Sequence, residues 1–272
     1  MSKITRIIFV GILCLLVAAP AAMAAGKVVI KGSTTVLPVA QAAAEAYMKL
    51  HRDVNISLSG GGSGDGVKAL IDKSTDIANS SREMKPKEMD MAKAKGVNPV
   101  AHIVAIDAIV PIVNPRNRVR NLSIDQLSQI YQGKITNWKE VGGDNLAIVM
   151  VSRDSSSGTY ESWSHLVLNG ARVSPKAQLQ ASNGAIVQAV SKNRYAIGYI
   201  GIGYLNKSVQ ALTVGGVAAS AKTAMSKEYP VARPLYMYTA GTSKGETEGF
   251  IKFLLGKKGQ EIVKKAGFVP VK

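Results

Sequence analysis

The sequence predicts an α/β protein made of two lobes with a ligand cleft between them. Short β-rich runs and helix-spaced apolar positions follow one another from residue 27 to the carboxyl end. Strands that alternate with helices at this rhythm favour a mostly parallel sheet covered on both faces. The chain is also near the length at which one core divides into two, and a cleft between lobes is a favoured ligand site.

The first part of the chain contains three strand–helix units and a long apolar strand. The predicted strands lie at 27–31, 54–58, 76–78 and 100–113, and the predicted helices lie at 39–50, 67–71 and 86–95. Pro38 suits the first turn of the first helix. Gly96 is typical of a residue that ends a helix.

The second part repeats the alternation. Ser123 and Gln126 form a capping-box pattern, which predicts a helix through Ile130. The remaining predicted strands lie at 147–151 and 195–200, and the remaining predicted helices lie at 158–168, 183–191, 244–255 and 259–266. No internal repeat or low-complexity tract interrupts this organisation.

The first 25 residues have the pattern of a secretory signal peptide. A short basic start and an apolar run over 7–19 precede small residues over 21–25, so we expect cleavage after Ala24 or Ala25. A membrane anchor is the alternative, but the run is shorter than the roughly 20 residues of a spanning helix. Cys14, the only cysteine, lies in this segment. We therefore expect export to a bacterial periplasm, and an exported form without cysteine chemistry.

The composition favours an anionic ligand or partner. The 34 Lys and Arg residues exceed the 18 Asp and Glu residues, and the formal net charge is +16. Such a balance steers anions toward a protein. Nucleic acid is the competing explanation, but the basic residues are dispersed, aromatic residues make up 6% of the chain, and no known binding motif occurs. We expect no nucleic-acid partner.

Three segments rich in glycine and hydroxyl residues each precede a predicted helix. They are Gly-Ser-Thr-Thr at 32–35, Ser-Gly-Gly-Gly-Ser-Gly at 59–64 and Arg-Asp-Ser-Ser-Ser-Gly-Thr at 153–159. Backbone N–H groups and hydroxyls at helix N-termini attract negative charge. If folding brings the three segments together, they form an anion pocket.

Each segment alone has a plainer explanation. A Ser or Thr of 32–35, or Ser63, suits a simple helix cap. Residues 64–69 match the dinucleotide pattern G-x-G-x-x-A, but a lone match is weak evidence, and an exported protein rarely meets such a cofactor. The segment 80–82, Ser-Ser-Arg, is a fourth candidate, although its arginine could form a surface ion pair instead.

The segment at 153–159 carries the most specific signal. Arg153 follows a predicted strand, and three serines with Gly158 and Thr159 then open a helix. An arginine beside a helix N-terminus places two positive features together, which costs energy unless an anion or carboxylate compensates. Asp154 is the internal candidate, and a solvated loop with a serine cap is the alternative. The guanidinium fork suits a tetrahedral oxyanion.

Other chemistry has less support. His51, His102 and His165 show no metal-ligand spacing, so we expect neither a metal nor a cofactor. Neither Ser63 nor Ser157 lies in a G-x-S-x-G elbow. A serine hydrolase would need a base near one of them. We expect a binding protein rather than an enzyme.

A series of motifs keeps one order along the chain. They are residues 32–35 with Pro38, 61–68, Gln-Ile-Tyr-Gln-Gly-Lys-Ile-Thr-Asn-Trp at 129–138, 153–159, Gly-Gln-Glu-Ile at 259–262 and Ala-Gly-Phe-Val-Pro at 266–270. In this order they resemble the phosphate-binding proteins of bacterial ABC transporters. The resemblance covers nearly all of the chain after the signal peptide.

The resemblance implies a type II periplasmic-binding fold, in which two crossover strands join the α/β lobes. The expected bounds are 26–106 for the first part of lobe 1, 107–202 for lobe 2 and 203–272 for the return to lobe 1. The expected crossovers are Val104 to Val113 and Ile200 to Leu205.

The resemblance also implies a periplasmic solute-binding protein that captures inorganic phosphate and delivers it to the permease and ATPase of an ABC importer, acting as a monomer. The expected phosphate-binding residues are Thr34, Thr35, Ser63, Ser81, Arg153, Ser157, Gly158 and Thr159, with Ser33, Gly64 and Arg82 as further candidates.

Ser81 departs from the pattern of this family. Many members carry an aspartate there, which accepts a proton from phosphate and would repel sulfate. A serine hydroxyl can donate or accept and so tolerates either anion. The alternative functions are binding of another oxyanion such as sulfate or molybdate, an exported phosphatase that uses Ser157, and a sensory role with the same ligand.

Overall fold

The computed structural model describes residues 26–271. The expected signal peptide at 1–25, which includes Cys14, lies outside the described residues. Within 26–271, no helix has both the length and the apolar character that crossing a membrane requires.

Strands and helices alternate up to residue 113, and every element predicted there is confirmed. In chain order they are β1 (Gly26–Ser33), α1 (Leu37–Leu50), β2 (Val54–Gly61), α2 (Ser63–Ile71), β3 (Ile77–Ser80), α3 (Pro86–Ala94) and β4 (Pro99–Val113). Pro38 lies in the first turn of α1, where no backbone N–H is needed. The helix buries one face through Val39, Ala43 and Tyr47.

The later elements include several that the sequence pattern does not predict. In chain order they are β5 (Asn121–Leu122), α4 (Ile124–Tyr131), β6 (Val149–Arg153), α5 (Gly158–Leu166), β7 (Gln178–Gln180), α6 (Asn183–Lys192), β8 (Ala196–Gly201), β9 (Gln210–Ala211), β10 (Thr213–Val214), α7 (Ala221–Met225), β11 (Ala232–Ala240), α8 (Gly245–Leu255) and α9 (Lys257–Lys265). The predicted capping box of α4 is confirmed, because the Gln126 N–H donates to Ser123 Oγ at 3.0 Å and the Ser123 N–H donates to Gln126 Oε1 at 2.9 Å. The sequence pattern does not predict β11.

The main sheet has the strand order β2-β1-β3-β11-β4-β8-β6-β7, with β9 beside β4, and β5 and β10 form a separate parallel pair. The pairs of β1 with β2 and β3, and of β6 with β7 and β8, are parallel. In the centre, β11 is antiparallel to β3 and β4, and β4 is antiparallel to β8. The predicted parallel arrangement is therefore correct for the two outer parts of the sheet and wrong for its centre.

Two hydrophobic cores lie on either side of this centre. In the first, α1, α8 and α9 pack on one face of β1, β3 and β11, while α2 and α3 pack on the other face. In the second, α4, α5, α6 and α7 surround β6 and β8, and Trp163 stacks on Tyr199 with ring centroids 4.3 Å apart. We call the elements around the first core the first half and those around the second core the second half.

The chain passes to the second half along β4 and returns along β11. Val104 of β4 lies in the first core, and Ile109 lies in the second. The chain after β8 stays with the second core through Val209, Leu212 and Tyr229, and β11 then pairs with β3. The predicted lobe bounds at 106/107 and 202/203 stay predictions. This packing favours a later return, and we propose that it occurs near residue 231.

Candidate functional site

The ends of several strands and helices meet between the two halves. The first half contributes the residues after β1, the start of α2 and the residues after β3. The second half contributes the end of β6 and the starts of α5 and α6. The predicted site residues at these places are buried, except for half-buried Gly64; they are Ser33, Thr34, Thr35, Ser63, Ser81, Arg82, Arg153, Ser157, Gly158 and Thr159.

Side-chain contacts join the two halves at the end of β1. Thr35 Oγ1 lies 2.8 Å from Thr159 Oγ1 of α5. Asn183, the first residue of α6, donates from Nδ2 to Thr34 Oγ1 at 3.2 Å and to Thr35 Oγ1 at 3.0 Å. Residues from 32–35 and 153–159 therefore contact each other directly.

A second group of contacts surrounds Gly158. A Cβ atom at this position would lie 2.3 Å from Ser63 Oγ and 2.8 Å from Ser81 Oγ, so only glycine fits. Ser63 Oγ and Ser81 Oγ are 3.3 Å apart, and the Gly64 N–H donates to Ser156 O at 3.0 Å. The start of α5 thus lies directly against the start of α2.

Most of the buried hydroxyls accept a hydrogen bond from a nitrogen donor. The acceptors and donors are Ser33 Oγ with the Thr35 N–H, Thr34 and Thr35 Oγ1 with Asn183 Nδ2, Ser63 Oγ with the Ser81 N–H, Ser157 Oγ with the Thr159 and Tyr160 N–H groups, and Thr159 Oγ1 with Arg233 Nη2. Each of these hydroxyls keeps its own proton for another acceptor, and between Thr35 and Thr159 one hydroxyl donates to the other at 2.8 Å. Within 26–271 none of them bonds to a carboxylate, so together they suit an anion.

Arg153 is a buried cation at the end of β6, with 1% of its surface exposed. Its Nε donates to Gln180 O at 3.0 Å, and its Nη2 donates to Ala181 O at 2.9 Å. The distance from Nη2 to Asp154 Oδ2 is 3.9 Å, too long for a hydrogen bond. Burial lowers the pKa of Arg153 because the charged form loses its hydration. Such a group favours a bound anion.

Arg82 lies beside this region but is held by carboxylates. Its two terminal nitrogens each donate to Glu88 at 2.7 Å, and its Nε lies 2.9 Å from Glu161 Oε2 of α5. Burial acts to lower the pKa of Arg82, but these ion pairs outweigh it and the net shift is upward. The contacts favour an ion-pair role for Arg82 over contact with a ligand.

Asp107 and Arg233 form a buried ion pair behind the start of α5. Arg233 donates to Asp107 Oδ2 from Nη2 at 2.9 Å and from Nε at 3.1 Å. It also donates to Gly158 O at 3.1 Å and to Thr159 Oγ1 at 2.9 Å. Burial raises the pKa of Asp107, and the neighbouring guanidinium opposes this shift. The pair therefore fixes the position of residues 158 and 159.

Sequence reasoning missed Asn183, Asp107 and Arg233. Each contacts residues that are distant along the chain, on α6, β4 and β11 respectively. The one available signal was the polar start of the helix predicted at 183–191. Arg233 offered no signal, because no strand was predicted at its position.

The arrangement suits binding better than nucleophilic chemistry. Ser157 Oγ accepts two backbone N–H groups, and in the described part of the chain no histidine or carboxylate hydrogen-bonds to it. A serine nucleophile needs such a base. Over the same residues, no cluster of three or more His, Cys, Asp or Glu side chains could hold a metal ion.

Comparison with known proteins identifies the family. Residues 17–258 match the family model of the PBP superfamily domain. The phosphate-binding protein PstS of Bacillus subtilis (strain 168) is 35% identical over 250 residues, which cover 91% of this chain and 82% of that protein. PstS of Borreliella burgdorferi is 32% identical, and the alignment covers 89% of each chain.

Solved structures agree with these relatives. A phosphate ABC transporter substrate-binding protein from Clostridium perfringens, with bound phosphate, superposes with a TM-score of 0.85 at 36% identity, covering 91% of this chain and all (100%) of that chain. An ABC-type phosphate transport receptor from Vibrio cholerae gives a TM-score of 0.73 at 31% identity, with 89% and 99% of the two chains covered. The predicted two-lobed binding-protein fold is confirmed. The chain belongs to the PBP superfamily and, within it, to the family of the phosphate-binding proteins PstS.

Proposed function

We propose that this protein captures inorganic phosphate between its two halves and delivers it to the permease and ATPase of an ABC importer. The family supports this function, since the relatives are named phosphate-binding proteins and the structure from Clostridium perfringens contains phosphate. The candidate pocket supports it independently.

The environment of Arg153 is the observation that carries the proposal. Its guanidinium is almost completely buried, and no carboxylate in 26–271 hydrogen-bonds to it. A buried charge whose nearest carboxylate, Asp154, is 3.9 Å away and partly solvated is incompletely compensated, whereas a bound oxyanion would compensate it directly. The hydroxyl donors and the N-termini of α2 and α5 lie around the same region. A tetrahedral oxyanion meets all of these requirements.

The proposed ligand set is the one that the sequence predicts, with one change of role. We propose direct contacts to phosphate from Thr34, Thr35, Ser63, Ser81, Arg153, Ser157, Gly158 and Thr159, with backbone or hydroxyl support from Ser33 and Gly64. Arg82 is assigned instead to the ion pairs with Glu88 and Glu161, because these occupy its guanidinium.

The donors are numerous enough for useful affinity. Hydrogen bonds to a charged group contribute about 1.5–3 kcal/mol each, and micromolar binding corresponds to about 8 kcal/mol. Several contacts therefore suffice after ordering costs are subtracted. Because the donors come from both halves, the anion contacts all of them only when the two halves are close together. Ligand binding should therefore favour the conformation in which the cleft between the halves is closed.

We propose that the protein is not an enzyme. Its relatives are named for binding rather than catalysis, and Ser157 lacks a base to activate it. A phosphatase is therefore disfavoured. We further propose that the protein acts as a monomer in the periplasm after removal of residues 1–25, as the signal-peptide pattern at its start supports.

Equilibrium dialysis with radiolabelled phosphate tests the proposal and its alternative ligands. We expect saturable binding at one site per chain, competition by arsenate, and weaker competition by molybdate, whose anion is larger. Competition by sulfate tests selectivity, because Ser81 stands where many family members carry an aspartate that would repel sulfate. Binding of sulfate or molybdate with no binding of phosphate would contradict the proposed ligand and leave the fold unaffected.

A further inference from the structure

The side-chain amide of Asn183 is fixed in one orientation between the two halves. Its Oδ1 accepts the Gly201 N–H at 3.1 Å, so its Nδ2 must face the opposite side. There it donates to Thr34 Oγ1 and Thr35 Oγ1 at 3.2 and 3.0 Å. The residue is completely buried, with 0% exposure. Asn183 belongs to the second half, and both threonines belong to the first.

This orientation determines which way the threonine hydroxyls point. An amide nitrogen donates and never accepts, so both hydroxyls accept from Asn183 and keep their own protons for other partners. Thr159 Oγ1, the other neighbour of Thr35, already accepts from Arg233. Because the oxygens of Thr35 and Thr159 lie 2.8 Å apart, one of these two hydroxyls donates to the other. When Thr159 donates, Thr34 and Thr35 both keep their own protons for an anion.

We propose that Asn183 is a positioning residue of the pocket, which turns the hydroxyls of Thr34 and Thr35 into hydrogen-bond donors when the two halves close. This inference rests on the proposed function and deepens it. The pocket then selects oxyanion oxygens that carry no proton, because only such oxygens accept from every donor. Asn183 acts through the threonines and needs no contact with the anion.

Ser81 is the exception among the predicted hydroxyl ligands. Its Oγ contacts only Ser63 Oγ, at 3.3 Å, and within residues 26–271 it accepts from no nitrogen donor. Of these hydroxyls, Ser81 is the one that offers a protonated oxygen of the anion an acceptor not already engaged by an N–H group. The hydroxyls beside Asn183 therefore act as donors to the anion, and the acceptor side of the pocket is at Ser81.

The substitution Asn183→Asp replaces the Nδ2 donor by a carboxylate oxygen, which is an acceptor, and keeps the shape of the side chain. The carboxylate still accepts the Gly201 N–H, but it also accepts from the threonine hydroxyls and draws their protons away from the anion. Two charge-assisted hydrogen bonds are lost, so we expect the Kd for inorganic phosphate at pH 8 to rise by about 100-fold or more. Calorimetric titration of the full chain measures this change.

Asn114→Asp is a matched control at the other end of α6. Asn114 is also buried, its Nδ2 donates to Val190 O and Ser191 O, and its Oδ1 accepts the Arg116 N–H. Both substitutions convert a buried amide at one end of α6 into a carboxyl group. Asn114 contacts the carboxyl-terminal end of the helix, whereas the pocket lies at its amino-terminal end. We expect a Kd within about threefold of the wild-type value, since no donor to the anion is altered.

The pH dependence separates a positioning role from a structural one. Between pH 8 and pH 6, protonation of the new carboxyl group or of phosphate restores a donor at this place, so the deficit of Asn183→Asp should shrink. The ionisable groups on α6 and on the elements packed against it are Lys192 of α6, Arg153 of β6, His102 and Asp107 of β4, Tyr199 of β8 and Tyr204. Their effects cancel when each variant is compared with wild type at the same pH.

Three results would overturn the inference: a Kd for Asn183→Asp within threefold of wild type, an equal loss in Asn114→Asp, or a deficit that stays constant with pH. If Asn183→Asp does not fold, Asn183→Ala removes the donor without adding charge. A loss of about tenfold then supports the inference, and unchanged affinity overturns it. Absence of phosphate binding by the wild-type protein would contradict the proposed function instead.

Discussion

Three arginines are buried in the described residues 26–271, and they differ mainly in their partners. Arg82 is held by Glu88 and Glu161, and Arg233 is held by Asp107. Arg153 donates only to backbone carbonyl groups, while Asp154 remains 3.9 Å away. Since a buried cation needs a compensating charge, Arg153 is the arginine that requires an external anion. The contacts around each arginine, rather than the residue type, thus identify Arg153 as the anion-binding group.

Replacing Ser81 by aspartate should change selectivity. The new carboxylate accepts the proton of hydrogen phosphate but repels sulfate, which has none to give near neutral pH. In Ser81→Asp we expect the Kd for sulfate to rise by about 100-fold while the Kd for phosphate changes by less than about tenfold. Calorimetry with both anions measures the two constants.

Ser81→Ala is the control for this change, because it removes the hydroxyl without adding charge. It should weaken both anions to a similar extent. Equal losses of phosphate and sulfate in Ser81→Asp would show that position 81 does not control selectivity.

The hydroxyl positions could be predicted because their signals are local. Thr34, Ser63 and Ser157 each lie in a short motif between a strand and a helix, and the structure places all three in one buried region. Asn183 and Arg233 could not be predicted in the same way. Their contacts with Thr35 and Thr159 join residues 148 and 74 positions apart, so they depend on how the halves pack.

At the scale of elements, α5 connects the pocket to the contact between the halves. Its first turn contains Gly158, Thr159 and Glu161, and Ser162 follows directly. Glu161 pairs with residues of the first half, and Ser162 Oγ donates to Ser81 O at 3.3 Å. One helix therefore supplies both ligand donors and closing contacts.

Glu161→Gln should weaken phosphate binding without altering the pocket. The change removes the ion pairs with Arg82 and Lys85, each 2.9 Å long, that hold the halves together. Because these groups are partly solvated, we expect a rise in Kd of about three- to tenfold. Added salt should reduce the difference from wild type, since it screens the ion pairs. Calorimetry at low and high salt gives both values.

Glu248→Gln is a suitable control, because Glu248 pairs with Lys252 within the exposed part of α8. It should bind phosphate like the wild-type protein. If Glu161→Gln also binds like wild type at low salt, the ion pairs do not contribute to closure.

The molecule as a whole is organised by two strands that run between its cores. The sequence predicted β4 from its long apolar run, but it did not predict β11, which contains Pro234. Proline is unusual inside a strand because it cannot donate to a neighbour. It is tolerated here next to an irregularity in the pairing with β4, between Leu235 and Tyr236. Two of the antiparallel pairings at the centre of the sheet, with β3 and with β4, belong to β11, and so does the proposed late return to the first half.

Phosphate should stabilise the whole protein, because its donors come from both halves. A ligand at 100 times its Kd adds about 2.7 kcal/mol to the free energy of unfolding. For a chain of this size, that corresponds to a rise in Tm of roughly 5–10 °C. Differential scanning calorimetry with and without phosphate measures the shift. An equal shift in Arg153→Ala would mean that phosphate acts outside the pocket.

Calorimetric titration of the wild-type protein with inorganic phosphate, repeated on Arg153→Ala, tests the central claim most directly. We predict a saturable one-to-one heat with micromolar or tighter affinity for the wild type, and a Kd about 100-fold or more higher for the variant, since the loss includes a charge-assisted contact and leaves the hydroxyl donors without their cation. The absence of a saturable phosphate heat from the wild-type protein, or equal affinities for the two proteins, would contradict the claim.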